Sequence, residues 1–177
     1  MASFPLSIQK MKSKLINFLL FQVGWFTAIL GAAYGKTYEA LIVSTIIILI
    51  HLKIIPNRID DIRLFVYAAI AGFFFDGLIQ YNNLILYNNP GWPYPLTPLW
   101  IIILWVMFAM TLNHSLSWLK GRVLLATLFG AIGGPLAYIA GEKLGAITIS
   151  GSQTLFVLSI GWAFITPLLV YLSKKND

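Results

Sequence analysis

The sequence predicts an all-α polytopic membrane bundle of six transmembrane helices, with both termini cytoplasmic and residues 1–177 forming a single integral membrane domain. Three observations predict it. Hydrophobic residues make up 59% of the 177 and charged residues 10%, with a mean hydropathy of +0.82, a balance too apolar for a soluble domain of this size. Six apolar runs approach or reach the length needed, at ~1.5 Å per helical residue, to cross a hydrocarbon core of ~30 Å, where a backbone must satisfy its own hydrogen bonds. Ten of the twelve Lys and Arg residues fall on one side of the resulting bundle, leaving Lys36 and Lys143 on the other, and that asymmetry sets orientation in a membrane.

Each element follows from its local sequence. Lys10, Lys12 and Lys14 precede the first helix (15–34) and mark its start as cytoplasmic. This run is longer than the apolar region of a secretory signal and further spans follow it, so it reads as an uncleaved helix. After the turn at Gly35 and Lys36 the second helix (38–55, or from Thr37) returns and is bounded by Pro56. Arg58, Asp60, Asp61 and Arg63 then read as an inner loop leading into the third helix (62–81).

Residues 82–97, without charge and rich in Asn, Pro and aromatics, predict a turn-rich outer loop. In the fourth helix (98–119), Thr97 would be the N-cap and Pro98 would take the first helical position. Lys120 and Arg122 mark the inner turn before the fifth helix (122–141), which ends outside at Glu142 and Lys143. The sixth helix (153–172) descends to Lys174 and Lys175.

Small residues recur at close-packing spacing, as Gly24, Ala28 and Gly31 on the first helix and Ala126, Gly130, Gly134, Ala137 and Gly141 on the fifth. Helices associate in lipid through such stripes. Pro135 frees the carbonyl of Ala131, and Pro167 does the same near Ala163. A freed carbonyl either lines a site or serves packing.

Composition also excludes functions. The net charge of +6 lies in short segments between apolar runs, so it reports topology, and no nucleic-acid partner is expected. With no cysteine, disulfides, thiolate nucleophiles and iron–sulfur clusters are excluded. No phosphate-binding loop, dinucleotide fingerprint, nucleophile elbow or HExxH occurs. No cofactor is expected, and the reaction, if there is one, is not specified.

The candidate site residues are the polar groups inside spans. Asp76, in AGFFFDGLIQ, lies ~20 Å above the inner boundary, where an uncompensated carboxylate costs ~2.5 to 3.5 kcal/mol. Gln80 shares its face, and Glu142 with Lys143 ends the fifth helix at a comparable level, which allows an outer polar cluster. Near the inner boundary come Asn17, His51, Asn113, His114 and Ser115, groups that commonly bond between helices.

No metal is expected there, because two histidines without a carboxylate at the same depth make a poor site. Asp76 and His114 lie ~15 Å apart along the membrane normal and cannot form a dyad. Gln22, near the middle of the first helix and one turn before Trp25 and Phe26, is a further candidate for a buried binding site. Trp92, Tyr94, Trp100 and Trp162 read as an outer aromatic belt, and Trp105 and Trp118 as ordinary span or inner-belt residues.

The segments NFLLFQVGWF (17–26), FDGLI (75–79), PLWIIILWVMFAMTLNHSLSWL (98–119) and GAIGGPLAYIAGEKLGA (130–146) resemble the bacterial membrane proteins catalogued as family 2878 of the domains of unknown function. The similarity runs over nearly the whole chain. In the fourth-helix motif Thr111, Asn113, Ser115 and Trp118 match, while His114 falls at an unconstrained position. The resemblance implies a bacterial inner-membrane protein. Such proteins are often encoded near enzymes that modify unsaturated or cyclopropane fatty acids, which suggests a lipid-related task.

GFFFDGL is also similar to the acidic, glycine-rich helix of two six-helix families. They are the substrate-binding subunits of energy-coupling-factor vitamin transporters and the rod-shape membrane protein of cell-wall elongation.

The expected function is therefore to bind or process a hydrophobic or lipid-like molecule in a polar pocket between helices one, three, four and five. Asp76, Gln22, Gln80, Asn113, Ser115 and Asn17 are the ligand-binding candidates. A transporter subunit that binds a small molecule and a scaffold with a membrane-protein partner are the alternatives, and membrane lipids surround the protein in every case.

Overall fold

The computed structural model describes residues 6–55 and 58–173. Pro56, Lys174, Lys175 and the side chains of Lys10 and Lys12 lie outside the described residues. Six α-helices are present among those described: α1 (Leu6–Ala33), α2 (Thr37–Ile54), α3 (Arg58–Tyr81), α4 (Leu99–Leu112), α5 (Val123–Lys143) and α6 (Ser152–Leu172). Five are long and apolar enough to cross a membrane, α1 through its stretch Ser13–Ala33.

The fourth helix differs from its expectation of 98–119. α4 has 14 residues, which is about 21 Å. It stops because Asn113, His114 and Ser115 turn their side chains onto α1 and α3, and the backbone rewinds as a short 3-10 turn at Ser117–Leu119. Polar side chains that find partners outside the helix compete with helical continuation.

Thr97 is not an N-cap either. Its hydroxyl donates to the carbonyl of Phe73 on α3, a position it reaches because a side chain at Gly77 would collide with it.

α4 is the central post. Trp100, Ile101, Trp105, Met107, Ala109, Met110, Thr111 and Leu112 are all buried, so the helix is covered all round. It packs on α1, α2 and α3. The surrounding helices turn Ile42, Phe74, Leu128 and Phe164 outward, as suits a bundle solvated by hydrocarbon.

The glycine stripes make the close approaches expected of them. Gly24 lies against Met107, Gly31 against Ala40, and Gly130 and Gly134 against Trp162, and outside the stripes Gly72 lies against Trp105. Ala131, freed by Pro135, accepts a 2.8 Å hydrogen bond from the Ser159 hydroxyl of α6, so here the free carbonyl serves packing.

A two-stranded antiparallel ribbon joins the outer loops. β1 (Ile85–Tyr87) pairs with β2 (Ile147–Ile149) in the register Ile85 to Ile149, Leu86 to Thr148 and Tyr87 to Ile147. Glu142 closes the ribbon by accepting the Ile149 N–H at 2.7 Å, and Asn88 donates to Gly145. The loop of 82–97 is thus a hydrogen-bonded cap. Asn89 donates to Ala32 and Thr37 to Asn89, tying the cap to the α1–α2 turn.

Candidate functional site: two polar nodes and an apolar cleft

α3 carries both acidic nodes on one face. Its buried residues Asp61, Leu64, Phe65, Ala68, Gly72, Asp76, Ile79 and Gln80 follow helical spacing, so Asp61 and Asp76 belong to the same inward stripe.

At the outer node Asp76 is fully buried and takes three hydrogen bonds. The hydroxyls of Tyr87 and Tyr138 each donate to Oδ1 at 2.6 Å, and Trp105 Nε1 donates to Oδ2 at 2.7 Å. The carboxylate is therefore held by neutral donors from β1, α4 and α5. The outer cluster allowed by the sequence is not assembled: Glu142 serves the ribbon, and Gln80 reaches the Leu96 carbonyl at 3.4 Å.

Trp100 does not belong to an outer aromatic belt, because it is buried, and Trp105 is a buried residue of the span. Trp105 stacks on Trp162 with centroids 4.4 Å apart and planes 9° from parallel.

At the inner node Asp61 supplies the carboxylate that the sequence reading placed in a loop. α3 begins at Arg58, four residues earlier than expected, which carries Asp61 into the helix and buries it. His51 Nε2 and His114 Nε2 approach Oδ2 at 2.8 and 2.7 Å, and Asn113 donates to Oδ1 at 2.7 Å. Lys120 donates to Asn113 Oδ1 at 2.8 Å.

Asn17 links this node to α4. It donates to the Met110 carbonyl at 3.0 Å, while its Oδ1 accepts from the Ser115 N–H at 3.2 Å and the Ser115 hydroxyl at 2.6 Å.

The ligating atoms of His51, Asp61 and His114 lie within 4.8 Å of one another, so a metal has to be considered. Donor atoms around a tetrahedral zinc stand about 3.3 Å apart, whereas these N···O distances of 2.7 and 2.8 Å are those of hydrogen bonds. Asn17 gives a second reason. Two backbone groups fix its amide, which turns Nδ2 toward His51 Nδ1 at 3.4 Å. His51 Nδ1 is then the acceptor, and its proton sits on Nε2, facing Asp61. As it stands, the trio is joined by hydrogen bonds to one carboxylate.

Between the nodes lies a cavity of about 420 Å³. Its walls come from α1, α4, α5 and α6, instead of the expected helices one, three, four and five. Phe18, Gln22, Trp25, Phe26 and Ile29 recur at helical spacing on α1, and Gly130, Gly133, Gly134, Ala137 and Gly141 face them from α5. Among the described residues no charged side chain lines it.

α1 and α5 are not among the closely packed helix pairs. The lining residues Phe18, Phe26 and Leu136 are 44%, 46% and 57% exposed, so the cavity is a cleft open on the side of the bundle between those helices.

Of the candidate ligand-binding residues, Gln22 and Ser115 line this cleft. Asn17 and Asn113 hold its inner end through Ser115 and Asp61. Asp76 stands outside the lining, attached to it through Trp105 and Tyr138, and Gln80 belongs to the outer cap. Sequence reasoning missed Asp61, Tyr87, Trp105 and Tyr138. The spacing from Asp61 to Asp76, about four helical turns, was the available signal for the first.

A family model described as a protein of unknown function (DUF2878) matches residues 14–168. No curated protein and no solved structure matches the chain.

Proposed function

The chain belongs to the DUF2878 family, and from that premise we propose that it holds the apolar chain of a lipid-like molecule in the cleft between α1 and α5. In this reading it is a multi-pass protein of a bacterial inner membrane with both termini cytoplasmic. The orientation rests on the ten of twelve basic residues gathered on one side.

The sixth crossing is α4 together with the turn that follows it. α4 runs antiparallel to α3, since Thr97 meets Phe73 at one end and Asn113 meets Asp61 at the other.

One observation carries the functional reading. The cleft of about 420 Å³ has an apolar lining and opens where lipid chains would touch the bundle. An occupant from the membrane enters sideways without crossing a polar barrier, and because its chain leaves hydrocarbon rather than water, close packing against the aromatic and glycine walls supplies the affinity. A water-soluble substrate of a transporter subunit would find no charged side chain to bind it.

Asp76 acts through Trp105 and Tyr138, fixing the wall of the cleft. Asp61 with its two histidines fixes the inner end through Asn113, and Asn17 does so through Ser115.

Native mass spectrometry of the gently extracted protein tests the proposal, comparing the wild type with Gly133→Phe. A Cβ at Gly133 meets nothing within 4 Å and Gly133 lines the cleft, so the ring of the variant is directed at the space an occupant would take. A discrete lipid-like mass bound to the wild type and lost from the variant is expected. The proposal fails if the wild type carries no such mass, or if the variant keeps it.

A further inference from the structure

The cleft lining contains few polar groups, and several of them are already engaged. Ser115 donates to Asn17, Thr111 to the Phe108 carbonyl, and Tyr138 and Trp105 to Asp76. Thr166 Oγ1 and Trp162 Nε1 have no partner, but both atoms are sealed from the cleft by burial, Thr166 against Gly130.

Gln22 is different. Its side chain is half-buried in the lining, flanked by Phe18, Phe21, Trp25 and Phe26, and among the described residues its amide makes no hydrogen bond. It sits at the middle of the span Ser13–Ala33, the depth at which an unpartnered amide is most costly, because no water reaches it. An amide offers one acceptor and two donor hydrogens without charge.

We infer that the cleft selects a ligand whose apolar chain carries a neutral oxygen group, a hydroxyl or a carbonyl, at the mid-membrane depth of Gln22, which hydrogen-bonds it. The inference rests on the cleft being a binding site, as proposed above. An ordinary phospholipid places its ester and phosphate oxygens at the interface and offers only hydrocarbon at this depth, so it leaves Gln22 unsatisfied. A charged group is disfavoured, because no lining side chain would neutralise it. Gln22 is thus a specificity residue, while the aromatic and glycine walls supply affinity for any chain of suitable width.

The test uses two probes of equal length, hexadecane and hexadecan-8-ol, with the detergent-purified full chain. Trp25, Trp105 and Trp162 line the cleft, so intrinsic fluorescence reports occupancy. The wild type is expected to bind the alcohol about tenfold more tightly, the value of one net hydrogen bond. Gln22→Leu should bind both probes alike, at the affinity of the alkane, and should melt at or above the wild-type temperature, since it removes an unsatisfied amide.

Equal affinities in the wild type, or a preference retained in Gln22→Leu, overturn the inference while leaving the cleft as a binding site. A melting temperature lowered by Gln22→Leu in ligand-free protein also overturns it, because the amide would then have a partner within the protein. If neither probe binds the wild type, or Gly133→Phe binds both unchanged, the cleft reading falls and the inference with it.

Discussion

Trp105 donates its indole N–H to Asp76 at 2.7 Å while lining the cleft, so a fully buried acid and the wall of the cavity are one construction. The stack of Trp105 on Trp162 extends that wall to α6. An acid inside a span reads naturally as a ligand's partner, yet its oxygens are occupied by Tyr87, Tyr138 and Trp105. Those bonds join β1, α4 and α5 at one carboxyl group.

Replacing Trp105 by Phe keeps much of the stack and removes the hydrogen bond to Asp76. We expect a loss of about 1 to 3 kcal/mol, the cost of leaving a buried polar group without its partner. It would be read as a lower melting temperature in detergent. An unchanged melting curve would mean that Asp76 does not depend on this donor.

Two glycines on α5 should respond oppositely to the same substitution. A Cβ at Gly130 would lie 2.2 Å from the Trp162 carbonyl oxygen, so Gly130→Ala should cost about 1 to 3 kcal/mol through overpacking. Gly133 faces open space, and Gly133→Ala should be neutral or gain up to about 1 kcal/mol from helix propensity. Equal effects at both positions would contradict the packing of α5 on α6.

Asp61→Asn puts an NH2 group in place of one carboxylate oxygen, facing either Asn113 or the two histidines. The clash of donors in a buried site should cost about 3 kcal/mol. Because the three side chains form a hydrogen-bonded trio, treatment with a chelator should leave the wild-type melting temperature unchanged, and added zinc should not raise it. A zinc-dependent rise that Asp61→Asn abolishes would show that the trio ligates a metal after all.

The chain has no native cysteine, so single cysteines report topology directly. With a membrane-impermeant maleimide on intact cells, Lys36→Cys should label from outside and Arg122→Cys only after permeabilisation. The reverse pattern would invert the proposed orientation.

Much of the bundle was legible in the sequence, because lipid imposes constraints that act locally. A run such as 153–172 must be helical whatever its neighbours are. A proline such as Pro135 frees a known carbonyl, and glycine spacing on α5 announces a close neighbour. α4 was harder to bound. Its inner end is decided by whether Asn113, His114 and Ser115 have partners elsewhere, and nothing within the segment says so. The same holds for β1 and β2, each three residues long, whose pairing joins loops about sixty positions apart.

The sequence by itself determined a helical membrane bundle, the approximate limits of its long helices and the importance of Asp76 and Gln22 as polar groups in spans, since hydrophobic length and the cost of buried polarity are properties of single segments. Only the tertiary structure decided what those groups do. It gave Asp76 to Tyr87, Trp105 and Tyr138, brought Asp61 between two histidines, and left Gln22 facing a cleft. A hydrogen bond needs two atoms about 3 Å apart, and for residues carried on different helices that distance is set by how the helices pack, which no one segment encodes.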